Sequence, residues 1–368
     1  MSYHLSYAKY SIHVILSLLT LLSPTYAQSV TECAGTECQS TSIQSGQISC
    51  NGPNSCQEST LTSDDAEYGF IECTGFESCY ETASISSATD VYCSGSNSCQ
   101  LSNSIDATNI YCAGSTGCAR AKLSASGNVY CYSQYGCSGT RINADADTFC
   151  SGQSSCYNSF ITNGKSANCE ANEGCFGARI TNANKVGCMG TQSCRRAVIS
   201  TANSVRGYGY QSMYFTEISG SSSVRGWGYQ SLTETIVDSQ GLSRMTVEIY
   251  TDSYQSQVIC RSGSTCTVSC KGTGCGGITY VCLSGATCNV SPGGCVSDNS
   301  VADINGETCP TFTDTLSLRK MFTEEMDEDF EFDDDAIIKA DCARCNDCNA
   351  KGECATLAAT QGATTRCK

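Results

Sequence analysis

Cysteine is unusually abundant in this sequence, with 31 copies among 368 residues. Most of the cysteines recur as pairs with the spacing C-x5-C, and the pair Cys112/Cys118 is followed 19 residues later by Cys131/Cys137. Thiols in such numbers favour an oxidising compartment, since a reducing one would leave them unpaired. The expected chemistry of these cysteines is therefore cross-linking by disulfides.

Histidine occurs only at His4 and His13, inside a segment with the features of a secretory signal peptide. Lys9 precedes an apolar run at residues 11–22, and residues 25–27 (Thr-Tyr-Ala) match the small-residue cleavage pattern. We expect residues 1–27 to be removed, which leaves a secreted, extracellular chain without histidine. That chain would lack Ser-His-Asp and Cys-His catalysis and imidazole metal ligands.

The charge balance limits the partners of the chain. Its net charge is -15, which argues against binding to nucleic acid or to an anionic membrane surface. No second apolar segment of membrane-spanning length follows the first. We expect no nucleic-acid partner, no membrane insertion and no cofactor.

Other columns of the sequence keep the same step of 19 residues. One is apolar at Leu123, Ile142, Ile161, Ile180, Ile199, Ile218 and Val237, and another at Val91, Ile110, Val129, Val186, Val205 and Val224. A unit of 19 residues is too short for two packed helices, whereas its short alternating runs are typical of strands. The pattern predicts an all-β solenoid over residues 28–310, with about 12 coils stacked about 4.8 Å apart.

The period and the column chemistry resemble cysteine-rich members of the single-stranded parallel β-helix group, of the pectin-lyase-like kind, over residues 33–309. The resemblance implies a parallel β-helix and raises polysaccharide cleavage by a lyase or hydrolase as an alternative. Such sites need clustered carboxylates with a histidine or a basic residue, but Asp64, Asp65, Asp106, Asp145 and Asp147 are scattered. We expect no enzymatic activity. An ice-binding surface is disfavoured as well, because the outward column from Ser124 to Ser219 is only partly threonine.

Disulfides within coils and disulfides between stacked coils both fit the spacing, since about 4.8 Å lies within the allowed Cα separation. Both cysteines of a coil vanish together, and nine coils leave an odd number per column, so we favour pairing within coils. The expected pairs are Cys50/Cys56, Cys73/Cys79, Cys93/Cys99, Cys112/Cys118, Cys131/Cys137, Cys150/Cys156, Cys169/Cys175, Cys188/Cys194, Cys260/Cys266 and Cys282/Cys288.

Two coils lack the cysteine pair. Gly207 and Met213 occupy its positions in one coil, and Gly226 and Leu232 in the next. We expect the two large side chains to fill the vacated core. The register should then slip between residues 245 and 258, before the cysteine pairs resume.

The same two coils hold the candidate ligand-binding residues, because aromatic rings beside guanidinium groups can bind sugars or anionic polysaccharide. Compensation for the lost disulfides is the alternative interpretation of these residues. Stacking between coils is expected for Tyr92, Tyr111, Tyr130 and Phe149, each of which precedes a first cysteine. The candidate residues are Arg206, Tyr208, Tyr210, Arg225, Trp227 and Tyr229.

Beyond the solenoid, residues 311–341 form an acidic linker with nine carboxylates between positions 324 and 335. A solvated linker without a metal site is favoured there, and calcium is the alternative ligand. Residues 342–368 form a Cys-rich segment with five cysteines, for which disulfides are favoured over a zinc site. Asn289 lies in a glycosylation sequon. The calcium candidates are Asp327, Asp329, Asp333, Asp334 and Asp335.

The sequence therefore predicts a secreted, non-enzymatic β-solenoid that serves as a structural or adhesive element of the extracellular matrix or cell surface. A carbohydrate-binding protein that uses coils 206–229 is the first alternative, and a polysaccharide-cleaving enzyme is the second. The expected partner is an extracellular protein or a polysaccharide. The odd cysteine count also predicts a disulfide-linked homodimer or a mixed disulfide.

Overall fold

The computed structural model describes residues 29–250, 253, 255–270 and 278–291, all of which belong to one compact unit. They form a parallel β-solenoid of about 13 turns, close to the 12 expected. Each turn contributes one strand to each of two parallel sheets. Within the described ranges the helical content is a single 3-10 turn, Thr36–Cys38. The predicted signal peptide, acidic linker and Cys-rich segment lie outside them.

Odd-numbered strands form the first sheet and even-numbered strands form the second, so every strand pairs with the strands two positions away. The first sheet contains β1 (Val30–Cys33), β3 (Gln47–Cys50), β5 (Phe70–Cys73), β7 (Asp90–Cys93), β9 (Asn109–Cys112), β11 (Val129–Cys131), β13 (Asp147–Cys150), β15 (Ser166–Cys169), β17 (Lys185–Cys188), β19 (Ser204–Gly207), β21 (Ser223–Gly226), β23 (Arg244–Ile249), β25 (Thr265–Cys270) and β27 (Thr287–Ser291). The second sheet contains β2 (Ser42–Ser45), β4 (Thr60–Ser63), β6 (Ser84–Ser87), β8 (Ile105–Ala107), β10 (Lys122–Ala125), β12 (Arg141–Ala144), β14 (Phe160–Asn163), β16 (Arg179–Thr181), β18 (Val198–Ser200), β20 (Glu217–Ser219), β22 (Ile236–Asp238), β24 (Ser256–Cys260) and β26 (Ile278–Cys282).

The core consists of residues stacked on their counterparts in the next coil. Leu123 pairs with Ile142, which pairs with Ile161, and all three side chains are buried. The predicted apolar column of the second sheet is thus confirmed. In the first sheet Val129 stacks on Thr148, whose buried hydroxyl accepts a hydrogen bond from Asn163 (3.2 Å). The inner columns of both sheets belong to one continuous apolar core, as a solenoid requires of coils that cannot bury a core alone.

The segment that leads from the first sheet to the second is here called the first turn, and the return segment the second turn. Backbones of successive coils approach so closely in the first turn that a Cβ on Gly114 would stand 1.9 Å from the carbonyl oxygen of Gly95. A Cβ on Gly152 would stand 2.1 Å from the carbonyl oxygen of Ser133. This contact explains the glycine two residues after most first cysteines.

Disulfides close individual coils and do not join neighbouring ones, as the sequence favours. Cys112 and Cys118, with their Cα atoms 5.7 Å apart, are representative. The described disulfides of the first turn are Cys33–Cys38, Cys50–Cys56, Cys73–Cys79, Cys93–Cys99, Cys112–Cys118, Cys131–Cys137, Cys150–Cys156, Cys169–Cys175 and Cys188–Cys194. Those of the second turn are Cys260–Cys266 and Cys282–Cys288.

The later disulfides therefore do not resume the earlier position. Cys260 ends β24 of the second sheet and Cys266 lies in β25 of the first, so their bond spans the second turn. Cys270, by contrast, aligns with Ile249 and through it with Gly226, in the column of first cysteines. Cys270 is also disulfide-bonded.

The 19-residue period is broken in this region, as expected, but the break begins before residue 245 and the strands stay paired. Val224 pairs directly with Val247, a step of 23 residues (224 to 247) in place of 19. The four additional residues are accommodated in the second turn before β23, and both sheets continue in register. An insertion in a turn leaves the pairing intact because turns lie outside the ladder of strand hydrogen bonds.

Candidate functional site

An aromatic ladder runs along the outer face of the first sheet. The ring centroids of Tyr92 and Tyr111 are 4.7 Å apart, those of Tyr111 and Tyr130 are 4.8 Å apart, and those of Tyr130 and Phe149 are 5.1 Å apart. All three pairs are stacked nearly parallel, which confirms the predicted contact between coils. Burial, together with a hydrogen bond from its hydroxyl to Asp90 (3.0 Å), raises the pKa of Tyr92 to about 12.

The six candidate ligand-binding residues lie together farther along the chain. Tyr208 and Trp227 each follow a strand of the first sheet, and their ring centroids are 4.5 Å apart. Tyr250 continues the stack 5.2 Å from Trp227. The sequence analysis missed Tyr250, because the step of 23 residues moves it out of the 19-residue frame.

The two arginines of this group have different surroundings. Arg225 forms an ion pair with Glu248 (2.7 Å), and its guanidinium carbon lies 5.8 Å from the centroid of the Trp227 ring. Arg206 is exposed, and no ion pair or hydrogen bond of its side chain is found within the described part of the chain. Arg225 is therefore committed to its neighbours, while Arg206 is open to solvent.

Tyr210 and Tyr229 form a second, parallel stack with their centroids 5.7 Å apart. They are 48% and 51% exposed, and Tyr208 is 45% exposed. Each stacked ring turns a face toward the next coil. Sugar rings pack on open aromatic faces, so these stacks offer a ligand mainly ring edges and hydroxyls. We call Arg206, Tyr208, Tyr210, Trp227 and Tyr229 the aromatic strip.

A ladder of amides crosses the unlinked coils at the first turn. The Gln192 amide nitrogen donates to the side-chain oxygen of Gln211 (2.8 Å), and the Gln211 amide nitrogen donates to that of Gln230 (2.9 Å). The sequence analysis missed this ladder. Its signal was present, since the three glutamines are 19 residues apart.

A cation–π ladder lies beside the amides. The guanidinium carbon of Arg195 is 5.5 Å from the centroid of Phe176 in the preceding coil and 5.4 Å from that of Tyr214 in the next. The Tyr214 hydroxyl donates to Glu234 (3.0 Å). Burial, followed by the negative charge of Glu234, raises the pKa of the Tyr214 hydroxyl above its usual value. The Tyr214–Glu234 contact connects the two coils that lack a disulfide, and Arg195 joins them to the preceding disulfide-closed coil.

The scattered aspartates serve turns and local contacts. Asp64 accepts a hydrogen bond from Gln44 (3.0 Å), and Asp65 accepts two from backbone amides of its own turn (2.9 and 3.1 Å). Asp106 accepts one from Ser104 (2.5 Å). Asp145 is exposed and Asp147 is half-buried on β13. These are the contacts of ordinary turn and strand residues.

One aspartate, which the sequence analysis did not single out, is buried. Asp238 at the end of β22 holds Arg261 of the next coil through two hydrogen bonds of 2.8 and 2.7 Å. The hydrogen bonding of the Arg261 guanidinium to the Asp238 carboxylate is the main reason that the pKa of Arg261 is raised. This bidentate pair neutralises the buried charge and fixes the coil after the insertion.

Cysteines form the groups of potential metal ligands in the described ranges, for example Cys33, Cys50 and Cys56 with sulphur atoms within 4.8 Å of one another. Each of these cysteines is already in a disulfide, so no thiolate is available there.

Two further sequence predictions concern the end of the solenoid and the region beyond it. Asn289 of the predicted sequon is exposed on β27, as a glycosylated side chain must be. The calcium candidates Asp327, Asp329, Asp333, Asp334 and Asp335 lie outside the described residues, as do the five C-terminal cysteines.

No protein family, curated protein or solved structure matches the chain. The likeness to the pectin-lyase-like group consequently remains an expectation from the repeat pattern. Over the described ranges, none of the helical segments has the length and apolar character needed to cross a bilayer.

Proposed function

We propose that this chain is a secreted, non-enzymatic β-solenoid that acts as a structural or adhesive element outside the cell. The observation that supports this most is the use of side chains for contacts between coils. Disulfides close each of the first coils, and aromatic, amide and cation–π ladders connect successive coils. Such contacts stiffen a repeat protein, in which each coil is stabilised mainly by its neighbours.

The disulfides are consistent with an oxidising compartment outside the cytosol. Several carboxylates of the described region are engaged in turns or in the Asp238–Arg261 pair, and the rings of the aromatic ladders are stacked on one another. A binding role for large outer surfaces therefore suits the molecule better than a catalytic cleft does.

The test is to express the full chain with its natural leader and to follow its destination. We expect the protein in the medium or bound to extracellular matrix, as an oxidised form that resists proteolysis. Beads that carry the purified protein should adhere to matrix in the presence of soluble polysaccharides. Retention inside the cell, or release of reducing ends or unsaturated products from pectin or alginate, would contradict the proposal.

Carbohydrate binding is a second candidate, favoured by the open guanidinium of Arg206 beside Tyr208 and Tyr210. An anionic polysaccharide would contact the guanidinium and the tyrosine hydroxyls. A glycan array with the wild type and the Arg206→Ser variant tests this role, with Lys165→Ser as the charge-matched control. The Arg206→Ser variant should lose binding, while Lys165→Ser should bind like wild type. Equal binding by both variants would exclude the aromatic strip as the polysaccharide-binding site.

A further inference from the structure

Charge is segregated along the solenoid. Residues 29–119 contain eleven carboxylates and neither lysine nor arginine, while residues 120–225 contain ten basic residues and five carboxylates. The first group is Glu32, Glu37, Glu58, Asp64, Asp65, Glu67, Glu72, Glu77, Glu81, Asp90 and Asp106. The basic residues are Arg120, Lys122, Arg141, Lys165, Arg179, Lys185, Arg195, Arg196, Arg206 and Arg225.

The segregation is sharpest on one edge, where the first turn enters the second sheet. Glu58, Glu81, Leu101 and Arg120 occupy the same position in four successive coils. The backbone amide of Glu81 donates to Gln100 and that of Leu101 to Ala119, so each residue stacks on its counterpart. The two glutamates and Arg120 are exposed, and Leu101 is half-buried.

Lys122 and Arg141, two residues beyond this column, add positive charge to the same edge. They are exposed partners on β10 and β12. The guanidinium carbon of Arg141 lies 5.9 Å from the ring centroid of Phe160. Together with the column, these residues make an edge that is acidic over two coils, apolar at Leu101 and basic over the next two. We call it the charged edge.

We propose that two copies of this chain pair antiparallel along the charged edge, with the two-fold axis at Leu101. One coil from that axis, Glu81 of one copy faces Arg120 and Lys122 of the other. Two coils from the axis, Glu58 faces Arg141. Every contact occurs twice, because an isologous interface is its own complement. The paired region spans five coils, which is about 20 Å at the spacing of parallel strands.

A second copy fits this edge better than a polyanion does. A polysaccharide that follows the basic residues along the solenoid axis meets Glu81 and Glu58 within two coils, and the net charge of -15 opposes it. A second copy satisfies both halves of the edge at once. Because the edge is narrow and exposed, the association is weak and sensitive to salt.

Charge-reversal variants can be chosen that respect the fold. Glu234 has the same position and left-handed backbone as Arg120, and Arg196 has those of Glu58. Glu217 aligns with Arg141 through the second sheet. Each reversed residue therefore has a natural precedent in its column. The acidic variant is Arg120→Glu/Lys122→Glu/Arg141→Glu, and the basic variant is Glu58→Arg/Glu81→Arg.

The experiment is sedimentation velocity of the full secreted chain. Free thiols are alkylated, and disulfide-linked dimers are removed by size exclusion at high salt before the folded monomer is transferred to low salt. Wild type should dimerise at low salt, and the Kd of the dimer should increase by about ten-fold or more at 0.5 M salt. Each variant alone should sediment as a monomer. An equal mixture of the two variants should restore the dimer, because every facing pair is then opposite in charge.

Controls with matched charge lie away from the edge. Lys165→Glu/Lys185→Glu/Arg206→Glu matches the acidic variant, and Asp145→Arg/Glu170→Arg matches the basic variant. Both change exposed residues elsewhere and should dimerise like wild type. A wild type that stays monomeric at low salt overturns the proposal, as does a mixture that fails to associate. If the acidic variant stays monomeric while the basic variant still dimerises, the proposal is also overturned, since the basic residues would then bind a different acidic segment.

Discussion

Met213 occupies the space that a cysteine side chain would take at Gly207. A Cβ on Gly207 would stand 2.5 Å from the terminal methyl carbon of Met213, and the Met213 side chain is fully buried. Gly207 lies in the column of first cysteines, directly after Cys188. Leu232 has the same relationship to Gly226, with a distance of 2.9 Å. The pair of cysteines is thus replaced by a glycine and one large apolar side chain.

Restoring the disulfide is the direct test of this relationship. The double variant Gly207→Cys/Met213→Cys should form the missing bond and close a loop of seven residues. The loop-entropy relation gives a gain of about 2 kcal/mol for such a loop. Hydrogen exchange of the β19 amides should report an increase of that order in the free energy of opening.

The single variant Gly207→Cys is the control for the disulfide. It adds a side chain without removing Met213, so overpacking should destabilise the coil by about 1–3 kcal/mol. Two results would contradict the view that Gly207 and Met213 take the place of a disulfide. One is stabilisation by the single variant, and the other is an unchanged free energy of opening in a double variant shown to be oxidised.

The coils of residues 205–247 should be the least stable part of the solenoid. They lack disulfides in the described region, and the second turn before β23 is enlarged. Local opening follows the contacts and cross-links that hold a segment. In hydrogen exchange of the wild type, amides of β19 and β21 should exchange before those of β9 and β11. Equal protection in both regions would show that the amide and cation–π ladders fully replace the disulfides.

Much of the fold follows from the repeat because stacking places identical side-chain types in register. A column such as Leu123, Ile142 and Ile161 has one solution in a solenoid, since each member must pack on the next. The pairing of Cys112 with Cys118 also follows from spacing and paired loss. These features depend on local periodicity, which a sequence displays directly.

Features that depend on an insertion could not be read from the period. The step from Val224 to Val247 hides the alignment of Tyr250 with Trp227, and hence the third ring of that stack. The spacing C-x5-C is the same for Cys112/Cys118 and Cys260/Cys266, although the two bonds close opposite turns. Spacing fixes the length of a closed loop and leaves its place in the coil undetermined.

Ionisation of Tyr92 should weaken the solenoid at alkaline pH. The pKa of Tyr92 is raised to about 12, mainly by burial, from an ordinary value of 10.0. Its contribution to stability is therefore present below pH 10 and is lost as the pH rises from 10 to about 12. Spectrophotometric titration of the wild type and of Tyr92→Phe should differ by one phenol. In the folded protein that phenol should ionise near pH 12. After reduction and unfolding the same difference should appear near pH 10, and identical values in the two states would contradict the expected contribution.

The odd cysteine should link the secreted chain to another chain. The 31 cysteines include 26 between residues 33 and 309, an even number, and five between residues 342 and 367. Pairing within the C-terminal segment therefore leaves one thiol over, and an oxidising compartment favours its capture by a second chain. We expect a disulfide-linked dimer or a mixed disulfide on a non-reducing gel, and loss of that band in a chain that ends at Asp335. The linkage should persist at high salt, unlike pairing through the charged edge, because a covalent bond is not screened. A full-length protein that runs only as a monomer with one titratable thiol would show that this cysteine is free.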